Sequence, residues 1–152
     1  MPASPAPSLE PADDADLPAI RELLTDAQLP IADLTETGPV RFWLMRDGES
    51  LIATVGLERY GNVAMLRSLV VRADHRGKGL GNAVLRQAEQ QAITEGIREL
   101  CVLTTSAAAL FARHGYDRID RDDAPTVVQR SEEFRSLCPD SAICMIKRLP
   151  SR

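Results

Sequence analysis

Apolar positions recur at helical spacing in some parts of the chain and in short runs in others, and the two patterns alternate. Leu9–Ala12 reads as a short first strand. Leu17, Ile20, Leu24 and Gln28 then share one helical face, with Leu23 and Ala27 beside it. Asp13 or Asp14 caps this helix, Pro18 falls in its first turns, and Pro30 ends it. Residues 29–40 read as a loop with one helical turn at 31–35. Arg41–Arg46 and Ser50–Glu58 are strands joined by an Asp47-Gly48 hairpin turn, and Tyr60-Gly61-Asn62 turns into a third strand, Val63–Arg72. A helix follows over about 80–95, ending at Gly96. Glu99–Leu103 is a strand expected to lie parallel to 66–72, because a helix crosses between them. Short helices are expected at Ala107–His114 and Pro125–Arg135, a strand at Tyr116–Asp120, and a last strand, Ile143–Lys147, closing the sheet.

The junction between the third strand and the long helix carries the chemistry. Leu69-Val70-Val71 is apolar and β-branched, and it runs into Arg76-Gly77-Lys78-Gly79-Leu80-Gly81-Asn82. Glycines after a strand leave backbone amides free to face an anion, and a helix N-terminus adds its positive dipole end. Arg76 and Lys78 bring full charges. The arrangement predicts a phosphate or pyrophosphate cradle. It is not a dinucleotide fingerprint, because Val84 stands where that pattern would continue and three antiparallel strands come first. No Walker-type phosphate loop exists in the sequence.

Composition narrows this further. At 152 residues and 44% hydrophobic content the chain fits one domain, and no apolar run is long enough to span a membrane. A net charge of −4 argues against a nucleic-acid-binding surface, so an anion site must be local. Residues 1–8 lack an apolar core and a positive side chain, and read as a disordered tail before a domain at 9–149. Three cysteines, Cys101, Cys138 and Cys144, are an odd number without tight spacing, which suits reduced thiols in a cytoplasmic protein. No metal-ligand spacing surrounds His75 or His114.

Arg76-x-x-Gly79-x-Gly81 resembles the acetyl-coenzyme A motif of the GNAT (GCN5-related N-acetyltransferase) superfamily. Ala107-x-x-x-Phe111-x-x-x-Gly115-Tyr116 is similar to that family's later helix and Gly-aromatic pair, and Met145-x-Lys147-x-Leu149 to its last strand. The likeness covers roughly residues 9–149. Leu100–Thr105 with Phe111–Tyr116 is similar to the acetyltransferase domain of N-acetylglutamate synthases. Asp122–Pro125 and Glu133–Ala142 resemble small stand-alone acetyltransferases of arsenic-resistance gene clusters.

The resemblance implies an α/β GNAT fold: a mixed central sheet of six to seven strands flanked by helices and splayed between residues 66–72 and 99–104. It implies acetyl-coenzyme A as co-substrate, with pantetheine in the splay and no metal. Leu69, Val70 and Val71 would hold the acetyl and pantetheine portions. Arg76, Gly77, Lys78, Gly79, Leu80, Gly81 and Asn82 would hold the pyrophosphate. The expected partner is a small-molecule amine rather than nucleic acid or membrane, and a homodimer is compatible with the pattern.

Two positions depart from the family. Phe111 stands where many members carry a tyrosine acid, and Met65 where many carry a glutamate. The candidate proton handlers are therefore Glu58, Tyr60, Ser68 and Thr104. Each has a plainer reading: a solvated strand-end carboxylate, a turn aromatic, a small strand residue and a helix cap respectively. Arg67 and Arg130 are candidates for pairing a substrate carboxylate, or else form surface salt bridges. The leading reading is acetyl transfer to a small amine, such as an amino acid or an amino-acid-like arsenical toxin. The alternative is a non-catalytic binding or sensor protein of the same fold, in one form with the three cysteines converging on trivalent arsenic. A protein-lysine substrate fits less well. Deprotonating a lysine amine at pH 7 costs about 4.6 kcal/mol, against about 1.4 for an α-amine, and no glutamate stands on the motif strand.

Overall fold

Asp13 starts the first helix. In the computed structural model, which describes residues 8–29, 40–77, 79–105, 107–131 and 142–150, its carboxylate accepts from the Ala15 amide while Asp16 reaches back to the Asp13 amide at 3.0 Å. This reciprocal cap supports one 3-10 turn, Asp14–Asp16, before α1 (Leu17–Asp26). Leu17, Ile20, Leu23 and Leu24 are buried as their spacing requires. Gln28 is not on that face. It lies beyond the helix end, exposed and left-handed at φ 61°, so the apolar stripe stops one turn earlier than its period suggests. The expected tail through residue 7, the turn at 31–35, Lys78, Ser106 and Cys138 lie outside the described residues.

The strands β1 (Glu10–Pro11), β2 (Val40–Asp47), β3 (Ser50–Tyr60) and β4 (Val63–Val71) form an antiparallel run. After β4 come α2 (Leu80–Thr94), β5 (Glu99–Thr104), α3 (Ala108–Arg113), β6 (Asp117–Ile119), α4 (Thr126–Gln129) and β7 (Ile143–Arg148). They complete one seven-stranded sheet in the order β1-β2-β3-β4-β5-β7-β6. The last strand therefore does not close the sheet at its edge. It inserts antiparallel between β5 and β6, and the three-residue β6 becomes the edge. The described part of the late helix is a single turn, much shorter than 125–135.

Strand alternation sorts the side chains onto two faces. Ala64 and Leu66 face α2 and α3 with Leu57, Val84, Leu85, Leu100 and Phe111 in the main core. On the opposite face Phe42, Leu44 and Val70 pack under α1, while Val63, Met65, Cys101, Val128 and Cys144 pack beneath α4. Among the described residues no helix is long and apolar enough to cross a membrane.

Candidate active site

β4 and β5 run parallel only at their start. Val63, Ala64 and Met65 pair with Glu99, Leu100 and Cys101, and the ladder ends there. The expected pairing of 99–103 with 66–72 is thus displaced upstream, and residues 66–71 and 102–104 diverge into a splay. A bulge in β4 accompanies the divergence. Arg67 opposes Gly56 and Val70 opposes Thr54, so Ser68 and Leu69 together face one residue of β3. Ser68 takes the left-handed conformation at φ 59°, a strain that single non-glycine residues carry mainly at bulges and sites. Above the bulge the Arg72 amide donates to the Ile52 carbonyl of β3 at 2.7 Å. Alternation along the strand then turns the Val71 amide the other way, into the splay.

The splay leads to the glycine loop. Gly77 and Gly79 adopt φ 81° and 77°, and a Cβ at either would meet nothing within 4 Å. Gly79 is the N-cap of the fifteen-residue α2, and no side chain caps that end. The amides of the first turn are therefore available to an outside acceptor. Arg76 donates from Nε to the Val71 carbonyl at 3.0 Å, which ties the loop to the end of β4. Asn82 accepts at Oδ1 from His114 Nε2, 2.8 Å away, joining the start of α2 to the end of α3. On the preceding turn, hydrogen bonds from Arg72 and then His75 hold the Asp74 carboxyl well below the usual carboxylate range. Leu80 packs partly buried against the main core, and Gly81 lets α2 approach Leu110, to which a Cβ would stand at 3.8 Å.

Three of the sequence candidates come together on the α1/α4 face. Glu58 is 1% exposed and Arg67 3%, with Arg67 NH1 3.7 Å from Glu58 Oε1. The Tyr60 hydroxyl donates to the other Glu58 oxygen. Glu58 is thus a buried carboxylate held from two sides, not a solvated strand end, and Arg67 is a buried ion-pair partner rather than a surface one. Tyr60 is engaged through its hydroxyl and is more than a turn aromatic. The remaining candidates separate from this group. Thr104 accepts the Ala107 amide at 2.9 Å, ahead of α3, whose N-cap is Ala107 and which no side chain caps, so it is not the helix cap of its plainer reading. Ser68 is the bulge residue. Arg130 stands exposed at the C-terminal end of α4.

Both departures from the family pattern are core residues. Met65 is fully buried and accepts from Ser131 Oγ at its sulfur, 3.4 Å away. Phe111 is 4% exposed and packs edge-on against Tyr116 with ring centroids 5.1 Å apart. Burial, and after it the Glu89 charge, raises the Tyr116 hydroxyl far above its ordinary value. Glu89 itself pairs with Lys147 at 3.1 Å. Sequence reasoning did not find this Glu89–Lys147–Tyr116 group, although Glu89 falling on the apolar face with Leu85, Ala88 and Ala92 was a visible signal.

A family model described as the acetyltransferase (GNAT) family matches residues 7–116. The chain belongs to the GNAT family. It is 33% identical over 91 residues to an uncharacterised N-acetyltransferase of Chlorobaculum tepidum, a match covering 57% of this chain and 56% of that protein. The structure superposes on N-acetylglutamate synthase from Neisseria gonorrhoeae, complexed with coenzyme A and N-acetyl-glutamate, with TM-score 0.80 at 18% identity. That match spans 97% of this chain and 36% of the synthase. Against the ribosomal-protein-S18-alanine N-acetyltransferase of Escherichia coli the TM-score is 0.69 at 16% identity, covering 97% and 96% of the two chains. At these identities the superpositions show the shared fold alone.

Proposed function

We propose that this GNAT protein is an acetyl-coenzyme A-dependent N-acetyltransferase acting on a small amine. The observation that carries the reading is that the β4–β5 ladder ends after Met65 while β4 leads on to two left-handed glycines and the uncapped N-terminus of α2. The residues fit the co-substrate. Free strand amides suit the pantetheine amides, and uncapped helix amides with Arg76 and Lys78 suit a pyrophosphate. Acetyl-coenzyme A supplies an activated thioester carbonyl.

The Leu69 or Val71 amide donates to the carbonyl oxygen as negative charge develops there, a preorganised contact worth roughly 2.7–4 kcal/mol. Glu58 and Tyr60 are the proton handlers of this reading, because only they among the candidates pair a buried carboxylate with a hydroxyl. Glu58 accepts the proton of the incoming amine, and Tyr60 holds the carboxylate's orientation. Arg67 pairs with that carboxylate and would share a substrate carboxylate bidentately. A buried cation beside a buried anion suits a zwitterionic acceptor, an amino acid or an amino-acid-like compound. The leaving thiolate takes its proton from solvent, since Phe111 has none to give.

The test is thiol release from acetyl-coenzyme A over a panel of free amino acids, an arsenic-containing amino-acid analogue, polyamines and lysine peptides. Stabilisation by acetyl-coenzyme A but not NADH in a thermal melt is measured in parallel. Turnover confined to α-amino acids is the expected outcome. Stabilisation without turnover on any amine would favour the non-catalytic reading that buried Met65 and Phe111 motivate.

A further inference from the structure

The β5–β7 pair carries reactive atoms that acetyl transfer does not use. Cys101 and Cys144 are buried thiols outside any disulfide, with their sulfurs 3.8 Å apart. The register pairs Cys101 with Ile146 and Cys144 with Leu103, so the two cysteines are diagonal neighbours rather than direct partners. Diagonal Cβ atoms in an antiparallel pair sit farther apart than the roughly 4 Å that a disulfide needs. Joining the sulfurs directly therefore requires the strands to move. Their present spacing matches another geometry. Two metal–sulfur bonds of about 2.3 Å, opened to the angles of a four- or three-coordinate centre, hold their sulfurs about 3.8–4.0 Å apart.

A third sulfur belongs to the same cluster, that of Met65, which accepts from Ser131 Oγ at 3.4 Å. Met65 is the register neighbour of Cys101 across the parallel pair and packs in the same buried cluster as both cysteines. Among the described residues no group of three or more His, Cys, Asp or Glu could hold a metal. Cations that want nitrogen and oxygen ligands have no set to use here. Two thiolates with a thioether form the soft set that selects Cu(I) over harder ions.

We propose that Cys101, Cys144 and Met65 form a buried sulfur site for a soft monovalent cation of the Cu(I) class. Binding replaces the two S–H bonds by two S–Cu bonds, releases the thiol protons to solvent, and changes no oxidation state. Ala124 and Val128, the latter from α4, belong to the same cluster, and Tyr60, Leu103 and Ile119 pack against it.

The full chain is titrated anaerobically with Cu(I) held by bicinchoninate, whose visible band reports the copper it loses. One equivalent should pass to the protein. Cys101→Ser with Cys144→Ser should abolish the transfer, Cys138→Ser should leave it intact, and Met65→Leu should weaken it without changing the stoichiometry. Zn(II) in excess should not compete. Transfer that is absent from the wild type, survives in the double variant, depends on Cys138 or yields to Zn(II) would overturn the assignment. Should the double variant fail to fold, alkylation of the wild-type thiols is mapped by peptide mass with and without Cu(I). Selective protection of Cys101 and Cys144 supports the site, and unchanged labelling overturns it.

Discussion

Gly79 offers a perturbation in which stability and ligand binding should move in opposite directions. It sits at φ 77° as the N-cap of α2, with open space around its missing Cβ. Gly79→Ala therefore introduces no clash, and its cost is the left-handed strain of an L-residue, about 1–2 kcal/mol. For a domain of this length that corresponds to a fall in Tm of about 3–6 °C. Gly79→Asp carries similar strain, but aspartate tolerates the left-handed region better and its charge favours a helix N-terminus by about 0.3–1 kcal/mol. The aspartate variant should thus melt no lower than the alanine variant. Binding should reverse the order. A carboxylate about 5 Å from two phosphate charges, at an effective dielectric between water and protein surface, opposes them by about 3 kcal/mol in total. That is roughly two orders of magnitude in Kd. Thermal melts and calorimetric titration with coenzyme A read the two quantities separately. Equal coenzyme A affinity in the two variants, with the melts as stated, would refute the placement of the pyrophosphate on this loop.

Glu58→Gln should destabilise the fold by about 3 kcal/mol in urea denaturation, because it leaves the Arg67 charge buried without its anion. Pairing it with Arg67→Met should restore most of that loss while acetyl transfer stays low; recovered turnover would remove Glu58 from the chemistry. Phe111→Tyr places a hydroxyl among apolar core groups and should cost about 1–3 kcal/mol without raising the rate. A faster variant would mean that this position reaches the reacting sulfur. On the acid side, burial pulls the Glu95 carboxyl up but is outweighed by hydrogen bonds from Arg41 and Gln91 and by the charges of Arg41 and Arg59, so its value falls below 4.5. A depressed carboxylate stabilises the fold above its unfolded value and loses that contribution as pH falls through its folded value. Melts between pH 3 and 6 should therefore show a shallower acid-side slope in Glu95→Gln than in the wild type, and identical slopes would contradict the Arg41–Glu95 pairing.

The sequence by itself determined the elements whose signals are local. The Asp13 cap, the hairpin turn at Gly48, the apolar stripe of α1 as far as Leu24 and the strand–glycine–helix junction at 69–82 each depend on residues a few positions apart, and each stands close to where its pattern placed it. The cofactor half of the candidate site was legible for the same reason, since a helix N-terminus and two left-handed glycines are contiguous. What only the tertiary structure decided rests on strand register. The insertion of β7 beside β5 put Cys144 next to Cys101, 43 positions away. The bulge at Ser68 and the end of pairing after Met65 opened the splay, and no local pattern marks where a parallel ladder stops. Glu58 gave the plainest case. Its strand-end position suggested solvent, but cross-strand packing buried it with Arg67 and Tyr60. Burial of a charge is settled by the partners that the fold brings to it, and those partners are not its neighbours in the chain.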